Sequence, residues 1–245
     1  MSATHSIDVT SDSPTSRLAA VWQRIHSATA RAGRPAESVK LLAVSKTFPI
    51  EAVDVIAACG QLAFGENYAQ EGTDKASARP DLEWHFIGPI QSNKTRGIAE
   101  HFSWVHTIDR LKIAERLSIQ RPDNLTPLQI CVQVNVSGEA SKSGCAPEEA
   151  LTLCRAVAQL PNIKLRGLMA IPEPTKDITM QHRQFAKLRE LQTNINQQGF
   201  SLDTLSMGMS DDLEVAIAEG ATMVRVGSAI FGHRTYSNSP APTEL

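Results

Sequence analysis

Cysteine is scarce in this chain, and the little there is does not pair. The four cysteines among 245 residues, Cys59, Cys131, Cys145 and Cys154, show no C-x-x-C spacing. That argues against a disulfide framework or a zinc site and fits a reducing, cytoplasmic setting. Long apolar runs are missing too; none approaches the roughly 18 residues that would span a bilayer. The opening MSATHSIDVTSDSPTS has neither a basic start nor an apolar stretch, so no secretory signal is expected. There is no surplus of one charge. Lys plus Arg is 24 against 26 for Asp plus Glu, a formal net charge of −2. Such a balance argues against nucleic acid or an anionic membrane as the partner. The common phosphate fingerprints are also absent. SKTFP, not G-x-G-x-x-G, follows the first apolar run, and GEASKSG (138–144) lacks the Walker order.

What is present suffices for one core: 42% hydrophobic and 20% charged residues. Residues 1–13 and 235–245 read as flexible tails around an ordered unit, 14–234. Ser13-Pro14 is a helix start, Leu18, Val21, Trp22 and Ile25 follow at helical spacing, and Gly33 stops the helix. Then short β-branched runs alternate with helix-periodic ones. Strands are expected at 39–46, 61–67, 82–88, 103–109, 127–135, 164–171, 204–208 and 223–227. Helices are expected near 50–59, 68–78, 92–100, 110–119, 147–159, 178–198 and 212–219. The strand runs are too continuously apolar for a sheet with one wet face, which implies parallel strands with helices outside. Eight such units predict an α/β fold, a closed (β/α)8 barrel with an extra N-terminal helix. An open doubly wound sheet is the rival.

In a parallel barrel the chemistry sits at the C-terminal ends of the strands. Lys46 ends LLAVSK there. Partial desolvation would favour its neutral, nucleophilic amine, which forms Schiff bases with aldehydes; the plainer alternative is a lysine that snorkels to water. Ser210, in GMSDD, is placed to cap the helix after the seventh strand, and Gly227-Ser228 follow the eighth. Those two loops form the recurrent phosphate site of this fold, although Ser and Gly are also common in ordinary turns. Arg225 lies two residues before Gly227, on the same side of the sheet. A buried arginine needs a partner, either a carboxylate such as Glu66 or an acceptor on a ligand. His85, His101 and His106 lack the surrounding motif of a metal site, so none is expected.

The motifs LLAVSKTFP, FGENYAQE, WHFIGPIQSNK, VNVSGEASKSG, GLMAI and LSMGMSDDLEVAIAEGATMVRVGSAIFG occur in this order across about residues 15–234. The series resembles the pyridoxal 5′-phosphate (PLP) homeostasis proteins, the YggS or PROSC family. The resemblance implies a TIM-like barrel of PLP fold type III, similar to the alanine racemase N-terminal domain. It implies PLP as cofactor, bound as a Schiff base on Lys46. Ser210, Gly227 and Ser228 match the phosphate contacts, and Arg225 matches the arginine facing the pyridine nitrogen. Asn67, His85, Met169 and Met207 match residues lining the cofactor pocket. Lys142 matches a family lysine in E-x-x-K-x-G that is tied to a second or transiting PLP. One departure is Phe48, where some members carry a lysine two residues after the Schiff-base lysine.

The resemblance also implies a role in intracellular PLP homeostasis: reversible binding, buffering and delivery to PLP-dependent apoenzymes, without turnover. A racemase-like PLP enzyme is the alternative. Racemization needs a proton donor on each face of the cofactor. Only Tyr68 and Tyr236 are available as tyrosines, and no β-rich second domain follows the last strand, so a carrier acting as a monomer is expected.

Overall fold

The structure, a computed structural model, describes residues 13–138 and 143–232. The flexible tails read from the sequence fall outside the described residues apart from Ser13, and so does Lys142.

The first four strands are β1 (Lys40–Val44), β2 (Ala63–Glu66), β3 (Glu83–Phe86) and β4 (Trp104–Ile108). The last four are β5 (Leu128–Gln133), β6 (Ile163–Met169), β7 (Thr204–Ser206) and β8 (Met223–Val226). They run parallel in chain order and close, β8 pairing with β1, into a barrel. The expected (β/α)8 architecture is therefore the observed one, and the open sheet is excluded. Helix α1 (Pro14–Arg31) precedes the barrel; α2 (Ile50–Ala58), α3 (Ala69–Ala78), α4 (Thr95–His101) and α5 (Leu111–Gln120) follow the first four strands. The last helices are α6 (Pro147–Val157), α7 (Ile178–Gln197), α8 (Leu213–Ala218) and α9 (Ser228–Phe231).

Alternation along each strand sorts side chains to two sides of the wall. On β1, Leu42 and Val44 point inward and pack with Ile87 and Met223, whereas Leu41 and Ala43 join the layer beneath the helices. Phe64 and Trp84 lie in that outer layer, ring centroids 5.7 Å apart. Burial of such side chains stabilises the fold by about 1.5–3 kcal/mol each. No helix among the described residues is long and apolar enough to cross a membrane.

Helix α1 starts as its sequence requires. Ser13 Oγ accepts the Ser16 N–H at 3.1 Å and Pro14 occupies the first turn. Leu18, Val21, Ile25 and Ala28 form its buried stripe. Its basic residues reach the rim of the barrel. Arg24 donates to the Ser210 carbonyl at 2.7 Å and to both Glu214 oxygens at 2.7 and 2.9 Å. Arg17 Nε donates to the Ile230 carbonyl of α9 at 2.9 Å. The extra helix thus holds the loops after β7 and β8, a task its own amphipathic pattern does not reveal.

Candidate functional site

A pocket of about 320 Å³ opens at the C-terminal ends of the strands. Lys46, Asn67, Ser210, Arg225, Gly227 and Ser228 all line it, brought together from four separate βα junctions. Val44, Ile87, Ile171 and Met209 supply its apolar surface and Asp211 an exposed carboxylate; Met209 and Asp211 fall in the GMSDD stretch read as a candidate loop, whereas Val44, Ile87 and Ile171 are not singled out by the sequence. Val44 and Ile87 could have been found by continuing the inward alternation of β1 and β3. Ile171 and Met209 lie beyond strand ends, where no period applies.

Lys46 sits two residues past β1, in a turn closed by Phe48 N–H donating to the Ser45 carbonyl at 3.1 Å. Asn67 follows β2 and is crossed by the chain after β3. A Cβ on Gly88 would lie 2.0 Å from the Asn67 carbonyl oxygen, so only glycine allows that approach. The Asn67 Oδ1 is buried and has no hydrogen-bond partner among the described residues. Phe48, at the departure from the family pattern, stacks on Phe231 of α9 with centroids 5.0 Å apart.

Ser210 does not cap α8, contrary to the expectation above. Asp212 stands before the helix, and its carboxylate accepts the Met209 N–H at 2.6 Å, because the turn over 210–212 shifts the helix start by two residues. Ser210 nevertheless lines the pocket. Ser228 opens α9, and the first N–H groups of any helix lack intrahelical partners.

Three sequence-derived candidates are absent from the pocket lining. Met207 faces outward into the layer under the helices, one residue out of phase with the inward Ser206. Met169 lies inside the barrel against Trp104 and Cys131. His85 is fully buried in the interior, stacked on Trp104 at 5.3 Å. Strand period assigns a residue to a side of the wall but not to a height along the barrel, and that is where the placement of Met169 and His85 departs.

Arg225 is 4% exposed and has no carboxylate within salt-bridge distance among the described residues, so Glu66 is not its partner. It donates to Ser206 Oγ at 2.8 Å and to the Ala170 carbonyl at 2.9 Å. Burial pushes its pKa down to about 10, which leaves it cationic at neutral pH. From Ser206 a chain continues through the interior. Ser206 Oγ lies 2.8 Å from His106 Nδ1, His106 Nε2 lies 2.9 Å from His85 Nδ1, and His85 Nε2 lies 2.7 Å from Glu83 Oε1. The guanidinium can only donate. The hydrogen bond from His85 holds the Glu83 carboxyl below its usual pKa, so at neutral pH it can only accept. With both rings neutral, as their burial favours, the polarity between them has one solution. Arg225 donates to Ser206, Ser206 to His106, His106 to His85 and His85 to Glu83. Both rings then carry the proton on Nε2. Burial first of all lowers both histidine pKa values, and for His106 the neighbouring Arg225 and His85 add to that lowering.

On the outer side of the wall, Glu66 is buried against Lys75, whose Nζ is 2.7 Å from Oε1. Burial raises the Glu66 pKa against the opposing pull of Lys75 and Ser45. A larger cleft of about 860 Å³ is lined by Gly138, Gly144 and Lys187.

Comparison with known proteins first gives the class. The family model of the alanine racemase N-terminal domain matches residues 16–235, so this is a barrel of that class. Alanine racemase of Corynebacterium glutamicum shares the fold at a TM-score of 0.65 and 18% identity, over 90% of this chain and 62% of that one. More similar relatives narrow the family. The pyridoxal phosphate homeostasis protein of Pseudomonas aeruginosa is 62% identical over 221 residues, 89% of this chain and 95% of its own. That of Escherichia coli is 51% identical over 225 residues, 90% and 96% respectively. PipY of Synechococcus elongatus, solved with PLP bound, matches at a TM-score of 0.77 and 35% identity over 90% of this chain and 100% of that one. The chain belongs to the pyridoxal phosphate homeostasis protein family.

Proposed function

We propose that this protein binds PLP reversibly, buffers it in the cytoplasm and delivers it to PLP-dependent apoenzymes, acting as a monomer and without turnover. The observation that carries the reading is the convergence of Lys46, the buried Arg225 and the Gly227-Ser228 helix start on one pocket of about 320 Å³. That volume is at the small end for ligand sites and suits a single ring with its substituents. The residues fit the group. Among the described residues Asn67 Oδ1 is an acceptor without a partner and Arg225 a buried cation without a carboxylate within salt-bridge distance, both favouring a ligand that donates hydrogen bonds and carries negative charge.

PLP supplies an aldehyde that an amine captures reversibly, as a Schiff base formed with loss of one water. Lys46 is the amine in the lining. Ser210, Gly227 and Ser228 would hold the phosphate, with a hydroxyl pair and backbone N–H groups. Arg225, fixed as a donor by Ser206 and Ala170, would face the ring nitrogen and keep it unprotonated. The reading without turnover is supported by the relatives, which are named as homeostasis proteins. Among the described residues the titratable groups of the lining are Lys46, Arg225 and the exposed Asp211.

The test is the visible spectrum of the purified protein, then borohydride reduction and peptide mapping. A violet-region band whose reduction leaves a pyridoxyl group on Lys46 is expected. A protein that stays colourless with added PLP would overturn the reading. Lys46→Ala should lose the reducible adduct yet keep phosphate-dependent binding.

A further inference from the structure

The turn that carries Lys46 is gripped from the far side of the barrel wall. Lys75, on α3, has three ammonium N–H groups and three acceptors: Glu66 Oε1 at 2.7 Å, Glu71 Oε1 at 2.7 Å and the Ser45 carbonyl at 2.9 Å. Ser45 Oγ donates to the same Glu66 oxygen at 2.6 Å. Glu71 Oε1 accepts the Thr47 N–H at 2.6 Å. Both neighbours of Lys46 in the chain are therefore tied to one cluster. Thr47 needs that hold. Its φ of 66° puts a β-branched residue in the left-handed region, a conformation that persists only when the surroundings fix it. None of Lys75, Glu66 and Glu71 lines the pocket.

We propose that Lys75, Glu66 and Glu71 are positioning residues that aim Lys46 into the pocket and so govern capture of the aldehyde, without touching the ligand. The proposal rests on the reading of Lys46 as the capturing amine. It predicts selectivity of effect. Loosening the turn should weaken binding of PLP, which needs a correctly aimed amine. It should spare pyridoxine 5′-phosphate, which has a hydroxymethyl group in place of the aldehyde and depends on the phosphate and ring contacts alone.

The experiment measures both affinities for wild type, Lys75→Met, Glu71→Ala and Glu71→Gln, with Thr47 amide hydrogen exchange recorded in ligand-free protein. Glu71 is partly exposed, so its variants keep the test open should Lys75→Met fail to fold. In Lys75→Met and Glu71→Ala, PLP affinity should drop about tenfold or more, with pyridoxine phosphate affinity changed less than about twofold. Glu71→Gln keeps an acceptor for Thr47 and should restore both the PLP preference and the slow Thr47 exchange that Glu71→Ala loses. Folded variants with an unchanged ratio of the two affinities would overturn the proposal. A wild-type protein that binds neither compound would instead overturn the cofactor reading. The grip is then judged on Thr47 exchange alone, and equal exchange in wild type and Glu71→Ala would sink it.

Discussion

The barrel wall separates two polar networks of opposite construction. Inside, Glu83, His85, His106, Ser206 and Arg225 form a chain with charges only at its ends and neutral rings between them. Outside, Glu66, Lys75 and Glu71 form a compact ion cluster around the Lys46 turn. The inner chain anchors the Arg225 guanidinium through Ser206, so its product is orientation. The outer cluster fixes backbone shape, so its product is the position of Lys46. Each supports one of the two basic side chains in the pocket. A neutral chain loses one hydrogen bond at a time, whereas an ion cluster that loses its only cation strands two carboxylates.

That contrast sets the largest expected effect. Lys75→Met leaves Glu66 buried without its counterion, and its Oε2 already has no partner among the described residues. Breaking a buried pair this way costs about 3–5 kcal/mol, to be read from urea unfolding. His106→Leu, a cut through the middle of the inner chain, leaves the Ser206 hydroxyl and His85 Nδ1 without their present partners. The expected loss is smaller, about 1–3 kcal/mol. Equal losses in the two variants would erase the distinction between the networks.

The inner chain makes a prediction of its own, in two measurements. Nitrogen-15 spectra should show His85 and His106 neutral with the proton on Nε2. Stability should also fall on mild acidification, and the sign follows from the lowered pKa values. Below about pH 6.5 the unfolded chain takes up protons at these histidines that the folded chain refuses, so acid favours unfolding. The slope should approach about 1.4 kcal/mol per pH unit for each histidine while its folded form stays neutral. Glu83, whose pKa is lowered, adds stability above the usual carboxylate range that is lost as the pH falls further. Urea midpoints between pH 7.5 and 5.5 test this, and His106→Leu should flatten the dependence. A flat wild-type profile would mean that the rings take up protons in the folded protein as readily as in the unfolded chain, and a stability that rises on acidification would mean that they are already charged.

The sequence carries the outer frame of this architecture better than its networks. Strands buried on both faces read as continuous apolar runs, which is why eight units were visible; the runs overshoot because strand-end residues such as Ser45 and Lys46 turn into loops. Four-residue α9 is too short to show a period. Lys46, Asn67, Ser210, Arg225, Gly227 and Ser228 line one pocket because the fold places strand ends at one mouth. Met207 does not, since a slip of one residue changes the side of the wall. Ser206 and His106 lie 100 positions apart, and Lys75 and Ser45 lie 30 apart. No local pattern connects residues that only barrel closure brings together.

The smallest effect belongs to a third ion pair, at the rim, and it decides whether burial is what separates the outer cluster from ordinary surface charge. Arg24 and Glu214 meet with good bidentate geometry at 2.7 and 2.9 Å, as short as the Lys75 contacts, but their side chains are 37% and 34% exposed. Water already solvates both groups, so Arg24→Gln should cost no more than about 1 kcal/mol, and less in high salt. Its local effect should be the clearer one. Arg24 also holds the Ser210 carbonyl, so phosphate-dependent binding at the pocket should weaken while urea stability barely changes. If Arg24→Gln instead matched Lys75→Met in stability, distance rather than burial would set the strength of these pairs. The outer cluster would then differ from the rim only in where it sits.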